Sequence, residues 1–233
     1  RTKQTIIREY DIPADEITVA ENVMEFPPEL LAEQHETYVY LEAMRAQGYE
    51  VVVNAGRMTI QKGLNHLLQS ARFVVDRNPK TIFLFVGGGE QIPELIEEAA
   101  SLGLAGNIIF TGRVEGIGKQ WRDAFRVSDL FVMPSVSEPL GLVPYEAIAY
   151  GAPALISKQS GISEILTNVL KVDFWDTHEM ANQICAVLEN DNLKNDLLAN
   201  AQAEQSKLTW APISDRIHHA YRNVLKQKHE VYA

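Results

Sequence analysis

A doubly wound, Rossmann-like α/β domain built on a parallel sheet is the fold class this sequence predicts from Tyr49 onward, and three observations carry it. Short apolar runs of strand length recur from Glu50 to the region of Leu170. Amphipathic stretches of helical period separate them, each closed near a turn former or an Asn, Asp or Gly. At 46% hydrophobic and 22% charged residues over 233 positions, the chain also has the apolar content that one substantial core requires.

The strands read as Glu50 to Asn54, Thr81 to Val86, Asn107 to Thr111, Leu130 to Met133, Ala154 to Ser157 and a weaker Leu170 to Asp173. Helical periods fill the intervals at Gly63 to Asp76, Gln91 to Leu102, Lys119 to Val127, Leu142 to Tyr150 and Met180 to Leu188. Ahead of this block, Asp11 to Asp15 is a proline-containing turn and Asn22 to Pro28 an extended linker. After Asp191 the sequence turns helical, with Leu193, Leu197 and Leu198 on one apolar face and Ile213, Ile217, Tyr221, Val224 and Leu225 on another. The expected division is 1–24 as the remnant of a preceding domain, 25–48 as linker and helix, 49–190 as the α/β domain and 191–233 as a C-terminal helical segment.

The formal charge of -10 disfavours nucleic acid as a partner, because binders of polyanions carry a basic face. No apolar run reaches the length of a transmembrane segment, and the N-terminal RTKQTIIREYDIP has no signal-peptide pattern, so a cytoplasmic location is expected. The single cysteine, Cys185, sits in the helical apolar pattern of Met180, Ile184, Val187 and Leu188 and reads as core. The histidines at 35, 66, 178, 218, 219 and 229 have no metal-ligand spacing, so no metal site is expected.

Doubly wound sheets bind ligands beyond the carboxyl ends of their strands, which directs attention to the loops there. The first, Asn54-Ala-Gly56-Arg57-Met-Thr-Ile-Gln-Lys62-Gly63, leaves a strand through a glycine and presents two cations just before a helix. Together they suit the negative charge of a diphosphate, although an exposed loop also carries basic residues simply because it is exposed. The second, Gly87-Gly88-Gly89-Glu90, allows close backbone approach by a ligand, but position 92 is Ile, so the GxGxxG dinucleotide fingerprint fails. In the third, Ser135 to Ala147, Pro139 and Gly141 exclude helix through Glu138, and Pro144 is tolerated in a first helical turn. A helix starting near Leu142 would surround Gly141 with unpaired amides, an anion site, with Glu138 and Glu146 flanking it as acceptors for hydroxyl groups. Two such carboxylates suit a sugar on one side and a ribose on the other. The alternative is a helix-dipole role for Glu146 and a solvated loop position for Glu138.

Residues 50–165 resemble the C-terminal domain of GT-B glycosyltransferases of family 4. The resemblance rests on AGR....KG, the strand into VGGGE, NIIFTGRV, SDLFVMPS, and the Glu138 to Glu146 element within EPLGLVPYEAIAYGAPALIS. Leu208-Thr-Trp210 and the following helix ending YRNVL resemble the family's tail. The resemblance implies a nucleoside diphosphate sugar as substrate, no cofactor and no metal. It implies that Arg57 and Lys62 contact the donor diphosphate, that Glu138 holds sugar hydroxyls and Glu146 the ribose, and that backbone around Leu140, Gly141 and Leu142 meets phosphate or sugar. Gly56, Gly87 and Gly88 line the same pocket, and backbone at Arg113 and Val114 meets the base. Glu138, Arg57 and Lys62 form the expected catalytic set. Ser160-Gly-Ile-Ser-Glu164 matches the family's GG..E turn in part, and Thr167 to Asp173 lacks its glycine-rich segment.

The function so implied is retaining, metal-independent transfer of a hexosyl, glucosyl by preference, to an acceptor hydroxyl. The N-terminal acceptor domain is expected as a missing partner, and the helix from Ser214 to Lys228 is expected to cover it or to pair with a second copy. A non-catalytic nucleotide-sugar module needing a partner chain is the alternative. An epimerase of the same fold is disfavoured by the Glu138 to Glu146 element, and a nicotinamide oxidoreductase by the failed glycine fingerprint.

Overall fold

The structure is a computed structural model and describes residues 2–26, 31, 37–114 and 118–231. Residues 26–205 form one compact unit, and residues 1–25 with 206–233 form another.

In the larger unit the strands are β1 (Glu50–Ala55), β2 (Thr81–Val86), β3 (Ile108–Phe110), β4 (Leu130–Met133), β5 (Ala154–Ser157) and β6 (Leu170–Val172). They form one sheet in the order β3-β2-β1-β4-β5-β6, and every neighbouring pair is parallel. This is the expected doubly wound Rossmann-like sheet. β1, β2, β4 and β5 are buried almost throughout, which is why they read as continuous apolar runs instead of alternating ones.

The helices are α2 (Val39–Arg45), α3 (Leu64–Arg77), α4 (Ile92–Ser101), α5 (Lys119–Arg126), α6 (Val143–Ala149), α7 (Thr177–Leu188) and α8 (Asp191–Gln205). Val52, Phe83, Phe85, Leu130, Val132 and Leu155 supply one face of the sheet to a core shared with Leu64, Leu67 and Leu68 of α3, Leu95 of α4, and Ile184 and Val187 of α7. The alternate strand positions point the other way, and there Phe131 of β4 meets Phe125 of α5 edge-on at 5.8 Å. Helix α7 begins three residues before the expected Met180, because the Asp176 carboxylate accepts from the Glu179 amide at 3.0 Å and caps the first turn.

Helix α8 belongs to the sheet domain, although in the sequence it groups with the C-terminal helices. Ala201 and Gln205 are buried, and Gln202 and Gln205 donate to the Ile148 and Tyr145 carbonyls of α6 at 3.0 and 3.1 Å. At the amino end of the sheet the buried Asp129 carboxylate accepts from the Val51 amide, from Arg45 of α2 and from Lys194 of α8. That charge is spent on architecture, away from the carboxyl end where ligands bind.

The smaller unit holds α1 (Thr2–Tyr10), a turn of 3-10 helix at Ala14–Glu16 and α9 (Trp210–Val231). Lys3 donates to the Ile17 carbonyl at 2.7 Å, Arg216 pairs with Glu21 at 2.6 Å, and the Glu25 carboxylate accepts from the Trp210 amide at 3.0 Å. Helix α1 buries none of its residues, which explains why no apolar period announces it. Ile217, Tyr221, Val224 and Leu225 of α9 are exposed, whereas Ile213, expected on the same face, is buried. Of the extended linker, residues 22–26 carry no regular structure, and its remaining positions lie outside the described residues.

Strand order reverses between β1 and β4, so the loops after these two strands flank the crevice of the sheet. Gly63 holds them together. It adopts the left-handed conformation (φ 65°), and a β-carbon there would lie 2.2 Å from the Pro134 carbonyl oxygen. Gly103 has nearly the same φ (70°), but its β-carbon would meet nothing nearer than the tip of Arg72 at 3.7 Å. Gly103→Ala is therefore expected to cost about 1 to 2 kcal/mol, the ordinary penalty of left-handed backbone. Gly63→Ala adds a backbone clash worth about 1 to 3 kcal/mol more. Equal shifts of the two variants in chemical denaturation would refute the close-approach argument.

Candidate functional site

The β1 loop leaves the sheet at Gly56, whose amide donates to the Val86 carbonyl at 2.9 Å. A 3-10 turn at Ile60–Lys62 then leads into α3, and its Gln61 carbonyl accepts the Val136 amide of the β4 loop at 2.9 Å. Lys62 ends that turn with its ammonium in an ion pair with Glu138. Both side chains are partly shielded, 25% and 16% exposed, so the pair is stronger than a fully solvated one. Arg57 is exposed and makes no ion pair with a described residue.

Glu138 is held by backbone on its far side, where its carbonyl accepts from the Gly161 amide at 2.8 Å, and the Leu140 carbonyl accepts from Ile162 at 2.8 Å. The partial match at Ser160 to Glu164 thus forms a 3-10 turn that anchors the β4 loop. Gly141 turns the chain at φ 83° into α6, which begins at Val143 with Pro144 in its first turn. The amides of Leu140, Gly141 and Leu142 donate to no described residue, so the unpaired donors expected around Gly141 are present.

Glu146 lies in the first turn of α6 and is 7% exposed. Its Oε1 accepts the indole N–H of Trp121 on α5 at 3.0 Å. Burial pushes its carboxyl up to about 7, against the Trp121 hydrogen bond, which favours the ionised form.

Gly87, Gly88 and Gly89 are read in the sequence as room for a ligand, yet at two of them the approaching group is the chain itself. A β-carbon on Gly87 would lie 2.1 Å from the Gly56 oxygen, and one on Gly89 2.1 Å from the Met58 oxygen. The Gly88 carbonyl accepts from Met58 at 3.0 Å. Gly87 also forms a bridge with Gly112, and Arg113, the next residue, lies beside Gly88. The sequence-predicted residues therefore gather around the carboxyl ends of β1, β2 and β4, with Lys62 and Glu138 in direct contact and Glu146 tied to Trp121. Trp121 was not among them. Its signal was faint, an indole opening an amphipathic helix four residues before the core Phe125.

A cation pair, a carboxylate, free backbone donors and a second, buried carboxylate can together hold an anion and several hydroxyl groups. Residues 42–204 match the family of glycosyl transferases group 1, which is more than half of the chain. The chain belongs to that family. Among its relatives, the D-inositol 3-phosphate glycosyltransferase of Rhodococcus jostii is 31% identical over 74% of this chain and 40% of its own length. The mannosylfructose-phosphate synthase of Agrobacterium fabrum is 27% identical over 73% of this chain and 40% of its own. An uncharacterized glycosyltransferase of Methanocaldococcus jannaschii is 25% identical over 74% and 45%. The chain thus spans less than half the length of these relatives.

Among solved structures, HepE of Anabaena, in complex with UDP and glucose, superimposes with a TM-score of 0.74 at 22% identity, over 94% of this chain and 60% of that one. TarM of S. aureus, crystallised with UDP and other ligands, gives 0.76 at 17%, over 94% and 42%. The fold of this glycosyltransferase domain is that of a GT-B C-terminal domain. No helix among the described residues is long and apolar enough to cross a membrane. Nor do three His, Cys, Asp or Glu side chains among them converge as metal ligands.

The buried carboxyl of Glu146 gives a pH signature. Its protonation is favoured in the folded chain, so its contribution to stability is fully present below the unfolded value near 4.5 and is lost as pH rises through about 7. Glu146→Gln keeps an acceptor for Trp121 and removes the titration. The wild-type melting temperature is expected to fall relative to that of the variant between about pH 5 and pH 8. Parallel profiles in thermal denaturation would show that Glu146 titrates normally.

Proposed function

We propose that this chain is the donor-binding half of a retaining, metal-independent glycosyltransferase of GT-B family 4. It transfers a hexosyl group, glucosyl by preference, from a nucleoside diphosphate sugar to an acceptor hydroxyl. The observation that carries the reading is the Lys62–Glu138 ion pair at the point where strand order reverses. A carboxylate paired to a lysine occupies the lysine as a phosphate would. When the donor arrives, its diphosphate competes for the Lys62 ammonium. Glu138 is thereby released to accept hydrogen bonds from the sugar hydroxyls.

Arg57 adds a second cation, and together the two offset the charge that grows on the departing diphosphate. Glu146 accepts from the ribose, the amides from Leu140 to Leu142 meet phosphate or sugar, and the backbone at Arg113 and Val114 meets the base. The complexes of HepE and TarM with UDP make UDP the first nucleotide to test. The acceptor belongs in this reading to a second domain, since one α/β domain offers a single wall of a cleft.

Calorimetry with UDP, ADP, GDP and their sugar conjugates tests the reading directly. A chain that binds none of them is not a donor domain. Lys62→Ala and Arg57→Ala are each expected to weaken diphosphate binding by about 1.5 to 3 kcal/mol, the scale of hydrogen bonds to charged groups, while leaving the bare nucleoside unaffected. Glu138→Gln should act in the opposite sense on free UDP, tightening it because Lys62 loses its competitor, and should abolish the advantage of UDP-sugar over UDP. Weaker UDP binding by Glu138→Gln would exclude the exchange of partners at Lys62.

A further inference from the structure

Resting on the assignment of Glu146 to the ribose, we infer that Trp121 is a positioning residue for the nucleotide. Its indole N–H fixes Oε1 of Glu146 and leaves Oε2 as the oxygen presented to the ligand's hydroxyls. The bond is 3.0 Å long, and Oε2 has no hydrogen-bond partner among the described residues. The terminal torsion of a glutamate is broad, so an unheld carboxyl would sample many orientations. An indole has one donor and no acceptor, so it can fix one oxygen and nothing else.

The indole is itself anchored. It meets Phe125, one helical turn on, edge-to-face at 5.7 Å, and Phe125 is fully buried between Phe131 of β4 and Tyr150 at the end of α6. The orientation of the Glu146 carboxyl is thus set from the centre of the sheet through three rings. A carboxylate pre-oriented in this way gives up less entropy when it binds hydroxyls. The segment between β3 and β4 then contributes to the nucleotide twice, through backbone at Arg113 and Val114 and through Trp121.

Glu146 is the charged residue of α6, and no neighbouring charge contributes to its shift, which comes from burial and from Trp121. α5 also carries Lys119, Arg122, Asp123 and Arg126, with Asp123 bonded to Thr37 and Arg126. α8 carries Asp191, Lys194, Asp196 and Glu204, of which Lys194 pairs with Asp129 and Asp191, and Glu204 accepts from Thr167 and Asn168. β4 and β5 carry no charged residue.

Trp121→Phe keeps a ring against Phe125 and removes the N–H. It is expected to weaken UDP by about tenfold, the scale of one hydrogen bond, and to leave inorganic pyrophosphate unchanged. In a Glu146→Ala background, which leaves the indole no side-chain oxygen to hold, the same change should have no further effect. UDP affinity of the unmodified chain should rise as pH passes about 7, and Trp121→Phe should move that midpoint upward, because the lost hydrogen bond favoured the carboxylate.

A second measurement needs neither ligand nor the Phe variant. Trp175 and Trp210 are 58% and 45% exposed and can be replaced by Phe, so that Trp121 alone reports. Its fluorescence should then titrate with a midpoint near 7, and Glu146→Gln should abolish the transition. Loss of UDP affinity that is the same with and without Glu146, or a Trp121 emission indifferent to Glu146, would overturn the inference. If Glu146→Gln leaves UDP affinity unchanged while the fluorescence transition is present, the Trp121 bond stands, and the ribose assignment, with the positioning role built on it, falls.

Discussion

Backbone oxygens lie where β-carbons would be along the carboxyl rim of the sheet. The Pro134 carbonyl fills that space at Gly63, and the Gly56 carbonyl fills it at Gly87. Each contact joins the loops of two neighbouring strands, β1 to β4 and β2 to β1, and so turns separate connections into one continuous rim. The side chains of the rim inherit their positions from this stitching. Lys62 precedes Gly63 in its turn, and Glu138 follows Pro134 in its loop, so the two residues, 76 positions apart, meet because the backbones beneath them cannot separate.

The electrostatics of the rim run against those of the whole. A chain of net charge -10 carries Arg57 and Lys62 at the carboxyl end of β1, one exposed and the other paired. At the opposite end of the sheet, the buried Asp129 gathers Arg45 and Lys194. The two carboxylates of the rim also differ in kind. Glu138 is neutralised by a lysine and reachable, whereas Glu146 is buried, bonded to an indole and inclined to hold its proton.

The sheet was legible in the sequence because its four central strands are buried on both faces and stand out as apolar runs; only the ends moved, as where the edge strand β3 contracts to Ile108–Phe110. Helix α1 was not legible, since a helix that buries nothing leaves no periodic trace. Of the site, the loops and their residue types were readable from glycines, prolines and charges of fixed local meaning. Their pairings were not. The ion pair of Lys62 with Glu138 and the bond of Trp121 to Glu146 join segments that come together only when the sheet is assembled. The glycines after β2 show the same limit from another side, because close approach was readable but the identity of the approaching group was not.

Helix α6 has seven residues, too few to persist on its own in water. Its first turn carries Glu146, and two of its carbonyls, at Tyr145 and Ile148, are bonded by glutamines near the end of α8. The last two turns of α8 therefore act as a splint on the helix that carries the buried carboxylate. A fragment trimmed after the sixth strand and the helix that follows it would retain every residue of the rim, yet it would lose the brace that keeps one side of that rim in register. The compact unit accordingly runs to Gln205, well past the last residue of the rim.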